Sequence, residues 1–291
     1  MHPTRLVGGT SGGACGESAP VVAGTTPRRS PQRQNPLVIA LHGALGAPDD
    51  WLAMGADLGL GTDDLLAWDL AGWAGGHGPG FASWTRDFVA AARALGRGGR
   101  PLGLLGYSLG ARLALHALAV DRPLFSFAVL VAPHPGLADA GTRASRLADD
   151  RCWVRSCMGS GWNQFLRAWE ARAIFGAGRP VAQWRPDLRE AWRRARRRLE
   201  GRRHEVAASL ECWSLGHQRP LLPVLARRVT GAPVLWVTGA LDTKFTAIAR
   251  EACRVVPASR RVAVAGAGHR VPWEQPEAFG RLFKSWMRRF A

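Results

Sequence analysis

The chain has 291 residues, of which 47% are hydrophobic and 21% charged. This balance belongs to globular proteins with a sizeable core, so it excludes a collagen, a coiled coil and a globally disordered chain. The formal net charge is +17, carried almost entirely by arginine, and it is compatible with a nucleic acid, a membrane surface or a small anionic substrate as partner, or with arginine-rich codon usage alone.

The N-terminal stretch, residues 1–35, is rich in Gly, Pro, Ser, Thr and Arg. It predicts a flexible leader, because it holds too few large apolar groups to offset the entropy of ordering. It has no apolar signal core, and no later apolar run approaches the roughly 18 residues of a membrane helix. We therefore expect a cytoplasmic protein with no membrane partner. Five scattered cysteines, without paired Cys or His motifs, predict reduced thiols and no zinc site.

Ordered structure is predicted from Pro36, where Leu37–Leu41 forms a short continuous apolar run. Such a run is typical of a strand buried on both faces of a parallel sheet. Similar runs recur at Leu65–Trp68, Leu102–Leu105, Phe127–Val131, Val234–Val237 and Val262–Ala265. Segments with helical spacing separate most of them, which predicts an α/β fold with a mostly parallel sheet flanked by helices.

The alternation breaks between His134 and about Arg219, where the pattern is helical throughout. One apolar stripe comprises Trp162, Phe165, Leu166, Trp169 and Ala173, and another comprises Leu188, Trp192, Ala195 and Leu199. A helical block inserted between two strands predicts a lid over the strand ends. The predicted organisation is therefore a leader (1–35), a core (36–133 and 220–291) and a helical lid (134–219).

The segment Gly106-Tyr107-Ser108-Leu109-Gly110 matches the pattern Gly-x-Ser-x-Gly. Alone the pattern is weak, but here a predicted strand precedes it and a predicted helix follows it. A serine in so sharp a strand-to-helix turn projects its hydroxyl above the sheet, and the glycines leave room for the turn. This context predicts that Ser108 is a nucleophile or base rather than part of an ordinary glycine-rich turn.

A serine hydroxyl becomes reactive when a histidine takes its proton and a carboxylate orients that histidine. In folds that carry the serine on such a strand-to-helix turn, the serine elbow, the three residues occur along the chain in the order Ser, then Asp or Glu, then His. Asp242 and His269 satisfy this order, and each comes just after a predicted strand. Because open α/β sheets bind ligands at the carboxyl ends of their strands, we expect the three side chains to meet there.

A reaction that places negative charge on a carbonyl oxygen also needs two backbone N–H groups near the serine. The N–H of Leu109, directly after Ser108, is the first candidate. The second lies in the loop after the first strand, His42-Gly43-Ala44, where Ala44 is the predicted donor. His42 is expected to hold that loop by a side-chain hydrogen bond.

Further motifs surround these residues. They are Leu41-His42-Gly43-Ala44-Leu45-Gly46 followed by Asp50-Trp51, Gly106–Arg112, His134-Pro135-Gly136-Leu137, Gly239-x-Leu241-Asp242-x-Lys244-Phe245 and Gly266-Ala267-Gly268-His269. Together they resemble the α/β-hydrolase superfamily, from about Pro36 to the C-terminus. Within it they are most similar to the family of synthases that make 2-succinyl-6-hydroxy-2,4-cyclohexadiene-1-carboxylate in menaquinone biosynthesis.

This resemblance implies a lyase that uses the triad to remove a ring proton and release pyruvate, without a metal or organic cofactor. The family's substrate carries three carboxylates, so the partner it implies is a small anionic molecule. The resemblance assigns substrate contacts to Tyr107, Arg112, Arg146, Trp169 and Arg198. Guanidinium groups suit this role, since they bind carboxylates through two parallel hydrogen bonds.

Two other functions remain open at this level. A serine carboxylesterase or other acyl hydrolase would use the same triad through an acyl-enzyme. A non-catalytic polyanion-binding protein is suggested by the basic run Arg193–Arg203 with Trp184 and Trp192 nearby, a mixture that nucleic-acid binders use. A pure binder has no need of the triad order, which makes a nucleic acid the weaker expectation.

Overall fold

The computed structural model of the protein describes residues 35–76 and 80–290. The predicted flexible leader, apart from its last residue, lies outside the described residues. The strands are β1 (Leu37–Leu41), β2 (Leu65–Trp68), β3 (Leu102–Tyr107), β4 (Phe127–Val131), β5 (Val234–Gly239) and β6 (Ser259–Val264). They form one parallel sheet in the order β2-β1-β3-β4-β5-β6. The predicted α/β fold is confirmed.

The continuous apolar strands follow from a sheet that is covered on both faces. In β1, Leu37, Ile39 and Leu41 pack into one hydrophobic cluster, whereas Val38 and Ala40 pack into a second cluster on the opposite face. Successive side chains of a strand point to opposite faces, so a strand buried on both sides needs apolar residues at every position.

The helices before the fourth strand are α1 (Asp49–Leu52), α2 (Gly55–Leu58), α3 (Leu70–Gly76), α4 (Phe81–Gly96) and α5 (Leu109–Asp121). Those after it are α6 (Ala140–Gly159), α7 (Trp162–Glu170), α8 (Pro186–Arg198), α9 (Arg203–Cys212), α10 (Leu222–Ala226), α11 (Thr243–Val255), α12 (Val271–Glu274) and α13 (Pro276–Met287). Short 3₁₀ helices cover Arg122–Leu124, Ala173–Phe175, Val181–Gln183 and Leu199–Arg202. Within the described ranges, no helix is long and apolar enough to cross a bilayer.

The last strand differs from its predicted bounds. β6 begins at Ser259, three residues before the predicted run, and ends at Val264. It lies at the edge of the sheet and pairs only with β5. Arg260 and Arg261 are exposed there, so the first half of the strand carries no apolar signal. An apolar run marks a buried strand and misses the solvated part of an edge strand.

Helices α6 to α9, residues 140–212, form an insertion between β4 and β5 that we call the helical insertion. Helix α6 packs against α9, and α9 packs against α3 of the core. Trp162, Phe165 and Trp169 are buried in a hydrophobic cluster that the helical insertion mostly forms. Helix α7 ends at Glu170, so Ala173 lies in a separate 3₁₀ turn and not on the predicted helical stripe.

Candidate active site

Ser108 lies in the sharp turn between β3 and α5. Its backbone is strained, with φ 49° and ψ −106°, which turns the side chain away from the sheet. A Cβ at Gly110 would lie 2.2 Å from the carbonyl oxygen of Leu41, and one at Gly106 would lie 2.7 Å from the Cα of Ala111. The two glycines are therefore required by close approach of backbone, as the motif predicts.

His269 and Asp242 come together beside this serine, although 161 and 134 residues of sequence separate them from it. The Nε2 atom of His269 lies 3.2 Å from the Oγ of Ser108. Its Nδ1 lies 2.8 Å from Oδ2 of Asp242. With Nδ1–H donating to the carboxylate, Nε2 is free to accept the serine proton. The three candidate residues thus form a continuous hydrogen-bonded chain.

Local structure holds both partners of Ser108 in place. Asp242 is the N-cap of α11, and its Oδ1 accepts the backbone N–H of Phe245 at 3.2 Å, which leaves Oδ2 for His269. The backbone on both sides of His269 is fixed by Glu274, which accepts the N–H groups of Gly268 and Arg270. Glu274 is only 2% exposed. Its role was not predicted, since nothing in its spacing indicates this contact.

Burial sets the protonation of the histidine. It lowers the pKa of His269 from 6.5, while the carboxylate of Asp242 acts in the opposite direction and the charge of Arg270 adds to the lowering. Desolvation disfavours the imidazolium because its charge loses water. The neutral imidazole, the form able to act as a base, is therefore the dominant one near neutral pH.

The two predicted oxyanion donors both line the cavity above Ser108. Ala44 lies in a tight turn closed by Gly46 N–H to the Gly43 carbonyl at 3.0 Å, with Leu45 at φ 54°. Leu109 is the first residue of α5. In the described part of the chain, neither N–H has a hydrogen-bond acceptor, so both can donate to a ligand. The start of α5 also favours negative charge at this point.

The loop that presents Ala44 is held by a buried histidine. His42 donates from Nδ1 to the Gly43 carbonyl at 2.9 Å and accepts the N–H of Leu70 at Nε2, at 3.1 Å. Burial lowers its pKa, which keeps the ring neutral and the acceptor available. This arrangement matches the structural role expected for His42.

A cavity of about 100 Å³ opens above Ser108, and the helical insertion supplies much of its lining. It is lined by five arginines, Arg112, Arg146, Arg172, Arg196 and Arg270. Three of them are ion-paired with carboxylates of the chain: Arg146 with Asp150, Arg196 with Asp50 and Arg270 with Glu170. Among the described residues, no carboxylate pairs with Arg112 or Arg172. The cavity is therefore basic, and it suits an anionic ligand.

Arg112 is held by neutral acceptors alone. Its guanidinium donates to the carbonyl of Trp213 at 2.6 Å and to Oε1 of Gln218 at 3.2 Å. Burial lowers the pKa of Arg112, and the neighbouring charge of Arg146 adds to the effect. A carboxylate in the cavity would offset both penalties.

The other predicted contact residues divide into two groups. Tyr107, Arg146 and Trp169 line the cavity, as the resemblance implies. Arg198 does not reach it: its guanidinium pairs with Asp49 at 3.0 Å and its side chain is 63% exposed. Arg196, two residues earlier, lies on the inner face of α8 instead and is 6% exposed. The predicted contact therefore moves from Arg198 to Arg196, because residues two apart on a helix lie about 200° apart around its axis, so that one faces the cavity and the other faces solvent.

Besides Arg196, three basic residues that line the cavity were not predicted as site residues from the sequence. They are His134, Arg172 and Arg270. His134 and Arg270 do carry a positional signal, since each lies within a few residues of the carboxyl end of a strand. Burial together with Arg112 lowers the pKa of His134 to about 3, so this ring is neutral. The described ranges contain no group of three or more His, Cys, Asp or Glu side chains placed to hold a metal ion.

A serine, histidine and aspartate in contact at the carboxyl ends of a parallel sheet define a triad enzyme of the α/β type. Residues 38–282 match the model of the alpha/beta hydrolase family, and the chain belongs to that family. It is 34% identical over 232 residues to the 2-succinyl-6-hydroxy-2,4-cyclohexadiene-1-carboxylate synthase of Yersinia pestis (strain Pestoides F), covering 76% of this chain and 79% of that protein.

Two further relatives agree with this placement. A Bacillus subtilis (strain 168) protein provisionally given the same synthase name is 31% identical over 261 residues, covering 86% of this chain and 89% of its own length. The solved structure of MenH from S. aureus superposes with a TM-score of 0.75 at 21% identity, over 89% of this chain and 96% of that one. The structural likeness bears on the fold alone.

Proposed function

We propose that the protein is a carbon–oxygen lyase that eliminates pyruvate from 2-succinyl-5-enolpyruvyl-6-hydroxy-3-cyclohexene-1-carboxylate. The product is 2-succinyl-6-hydroxy-2,4-cyclohexadiene-1-carboxylate, an intermediate of menaquinone biosynthesis. One observation carries the proposal: this protein, which is similar to those synthases, has the hydrogen-bonded residues Ser108, His269 and Asp242 beside an arginine-lined cavity. A charged metabolite of this kind is consistent with an enzyme of the cytoplasm, and we propose that location.

In the proposed reaction, His269 takes the hydroxyl proton of Ser108, and the serine oxygen takes the proton from the ring carbon that bears the succinyl group. That carbon is acidic because it lies next to a ketone. Its electron pair forms a new ring double bond, the existing double bond shifts by one position, and the bond to the enolpyruvyl oxygen breaks. The released enolpyruvate gains a proton to become pyruvate.

Negative charge accumulates on the succinyl carbonyl oxygen during proton removal. The N–H groups of Ala44 and Leu109, which line the cavity beside Ser108, are the donors we assign to that oxygen. Asp242 keeps the imidazole of His269 in its accepting tautomer and stabilises the imidazolium that forms.

The remaining roles concern binding. We assign Arg112, Arg146 and Arg196 to the carboxylates of the substrate, with Tyr107 and Trp169 packing against its ring. The helical insertion, within the predicted lid of residues 134–219, carries three of these five residues and closes the cavity from above. In this role it limits the access of water to the dienolate formed by proton removal.

The proposal is tested by incubating the purified protein with the cyclohexene precursor and measuring pyruvate release. Simple aryl esters serve as the comparison, since an acyl hydrolase on the same scaffold would turn them over through an acyl-enzyme. Pyruvate release with slow ester turnover supports the lyase. Rapid ester hydrolysis without pyruvate release would assign the triad to the esterase function instead.

The polyanion-binding alternative finds little support in the basic run of α8 and the turn that follows. Trp184 and Trp192 are 2% and 7% exposed, so neither ring is available for stacking on a base. Five arginines of the run are ion-paired within the chain: Arg196, Arg197, Arg198, Arg202 and Arg203. Salt-sensitive retention on DNA or RNA that persists in Ser108→Ala would nevertheless favour that function.

Replacing Arg112 with alanine is expected to weaken substrate binding and the alignment of the transition state. A charge-assisted hydrogen bond to a carboxylate contributes about 1.5–3 kcal/mol, so kcat/KM should fall roughly 10- to 150-fold, mainly through KM. Steady-state kinetics measure the change. Arg86→Ala is the control, because Arg86 is 74% exposed and pairs with Asp87. If Arg112→Ala left both kinetic constants unchanged, the anion-binding role of Arg112 would be wrong.

The pH dependence of kcat/KM should report the titration of His269. Only the neutral imidazole accepts the serine proton, so activity is lost as pH falls through the pKa of this residue in the free enzyme. Burial lowers that pKa from 6.5, and the acid limb should therefore have its midpoint below 6.5. A pH series of kcat/KM with the intact substrate checks this, and a midpoint above that value contradicts the assignment.

A further inference from the structure

Arg172 is a cavity arginine to which neither the sequence motifs nor the proposed mechanism gives a role. It lies two residues after the end of α7 and three residues after Trp169, and it lines the cavity above Ser108. Its guanidinium carbon lies 4.3 Å from the ring centre of Trp169 and 5.2 Å from that of Trp153. The two indoles come from different helices and meet edge to face, with 5.2 Å between their centres.

These aromatic contacts orient the cation without neutralising it. A guanidinium that stacks on aromatic faces uses its flat surface, and its N–H donors point outward from the edge. In the part of the chain that the structure describes, no carboxylate pairs with Arg172. The donors are therefore available to a ligand in the cavity.

The surroundings of Arg172 also favour an anion. Burial lowers the pKa of Arg172 and the positive charge of Arg146 adds to this effect, while the more distant carboxylates of Asp150 and Asp149 act in the opposite direction. The Nε of Arg146 already contacts both oxygens of Asp150, at 3.0 and 2.9 Å, so that pair is internally satisfied. A carboxylate bound at Arg172 would restore the solvation that burial removes and would relieve the repulsion between the two cations.

We propose that Arg172 is a specificity-determining residue that binds one carboxylate of the substrate, while Arg112 binds another. The proposal rests on the proposed function, because it takes the substrate to be a small molecule with more than one carboxylate. It adds Arg172 to the arginines assigned to the substrate, and within that set Arg112 and Arg172 are the two that have no carboxylate partner among the described residues. The site then selects dianions and trianions over simple esters.

The test measures equilibrium binding of the intact tricarboxylate substrate by calorimetry, in the full chain carrying Ser108→Ala so that no turnover occurs. Adding Arg172→Met keeps the side-chain stem against the indoles and removes the charge. We expect binding to weaken about 10- to 100-fold, whereas Arg172→Lys should recover part of it. Arg167→Met, on the exposed face of the preceding helix α7, is the matched control and should leave the dissociation constant unchanged.

Analogues in which one carboxylate at a time is esterified separate a direct contact from a general change in the cavity. One of the three esterified analogues should bind weakly to the Ser108→Ala protein, and its affinity should not fall further when Arg172→Met is added. If Arg172→Met leaves the dissociation constant unchanged, or weakens all three analogues equally, the assignment of Arg172 is overturned. Absence of pyruvate release by the unmodified protein would reject the proposed function, yet charge-dependent binding through Arg172 could still be measured.

Discussion

Ser108→Ala is expected to reduce turnover by about 10⁴-fold or more while leaving substrate affinity largely intact. The hydroxyl oxygen at 3.2 Å from His269 is the atom that we assign to proton removal, and alanine offers no replacement for it. The arginines that we propose bind the substrate carboxylates are untouched, so the binding energy should persist. Single-turnover measurement of pyruvate gives the rate, and calorimetry gives the dissociation constant.

The control for Ser108→Ala must distinguish loss of the reactive hydroxyl from loss of the folded structure. Alanine also carries a Cβ, so the strained backbone at φ 49° is no worse than with serine, and thermal unfolding should be unchanged. Ser156→Ala removes a partly buried hydroxyl of α6 that lies 3.4 Å from that of Ser160, and it should retain full activity. If Ser108→Ala kept a rate within tenfold of the parent, His269 or a water molecule would have to act as the base directly.

Gly110→Ala is expected to destabilise the fold by at least about 3 kcal/mol, or to prevent folded protein from accumulating. The new methyl group would lie 2.2 Å from the carbonyl oxygen of Leu41 and 2.6 Å from that of His42. Both carbonyls belong to the backbone at the end of β1, a strand that is hydrogen-bonded to β2 and β3. Neither strand nor helix can move away without breaking the sheet or displacing Ser108.

Urea unfolding monitored by circular dichroism measures this loss of stability. Gly159→Ala is the matched control, because no heavy atom beyond its chain neighbours and the local backbone of α6 lies within 4 Å of a Cβ at that position. Its free energy of unfolding should change by less than about 0.5 kcal/mol or should increase slightly, since alanine favours a helix more than glycine does. A Gly110→Ala protein as stable as this control would refute the close packing of the elbow against β1.

The positions of the triad residues could be predicted because each lies at the carboxyl end of a buried strand. Leu102–Leu105, Val234–Val237 and the apolar part of β6 place Ser108, Asp242 and His269 at one edge of a parallel sheet. A short, continuous apolar run identifies such a strand when both of its faces are buried. The start of β6, where Arg260 and Arg261 are exposed, was not predicted in this way, because an edge strand needs no continuous apolar run.

The roles of the arginines could not be predicted in the same way. Arg196 and Arg198 are two residues apart in a basic run, yet their side chains are 6% and 63% exposed. Which of them faces the cavity depends on how α8 is rotated against α1, the helix that carries Asp49 and Asp50. Arg172 belongs to no motif, and its importance appears only when the carboxylates around the cavity are matched to their partners.

The amino-acid sequence by itself determined the parallel sheet, the serine elbow and the order of the triad, since these depend on local spacing and on burial along each strand. The tertiary structure alone decided which arginines are neutralised within the chain and which remain available to a ligand. Charge pairing between residues up to 149 positions apart depends on helix rotation and on side-chain reach, and no local pattern encodes either.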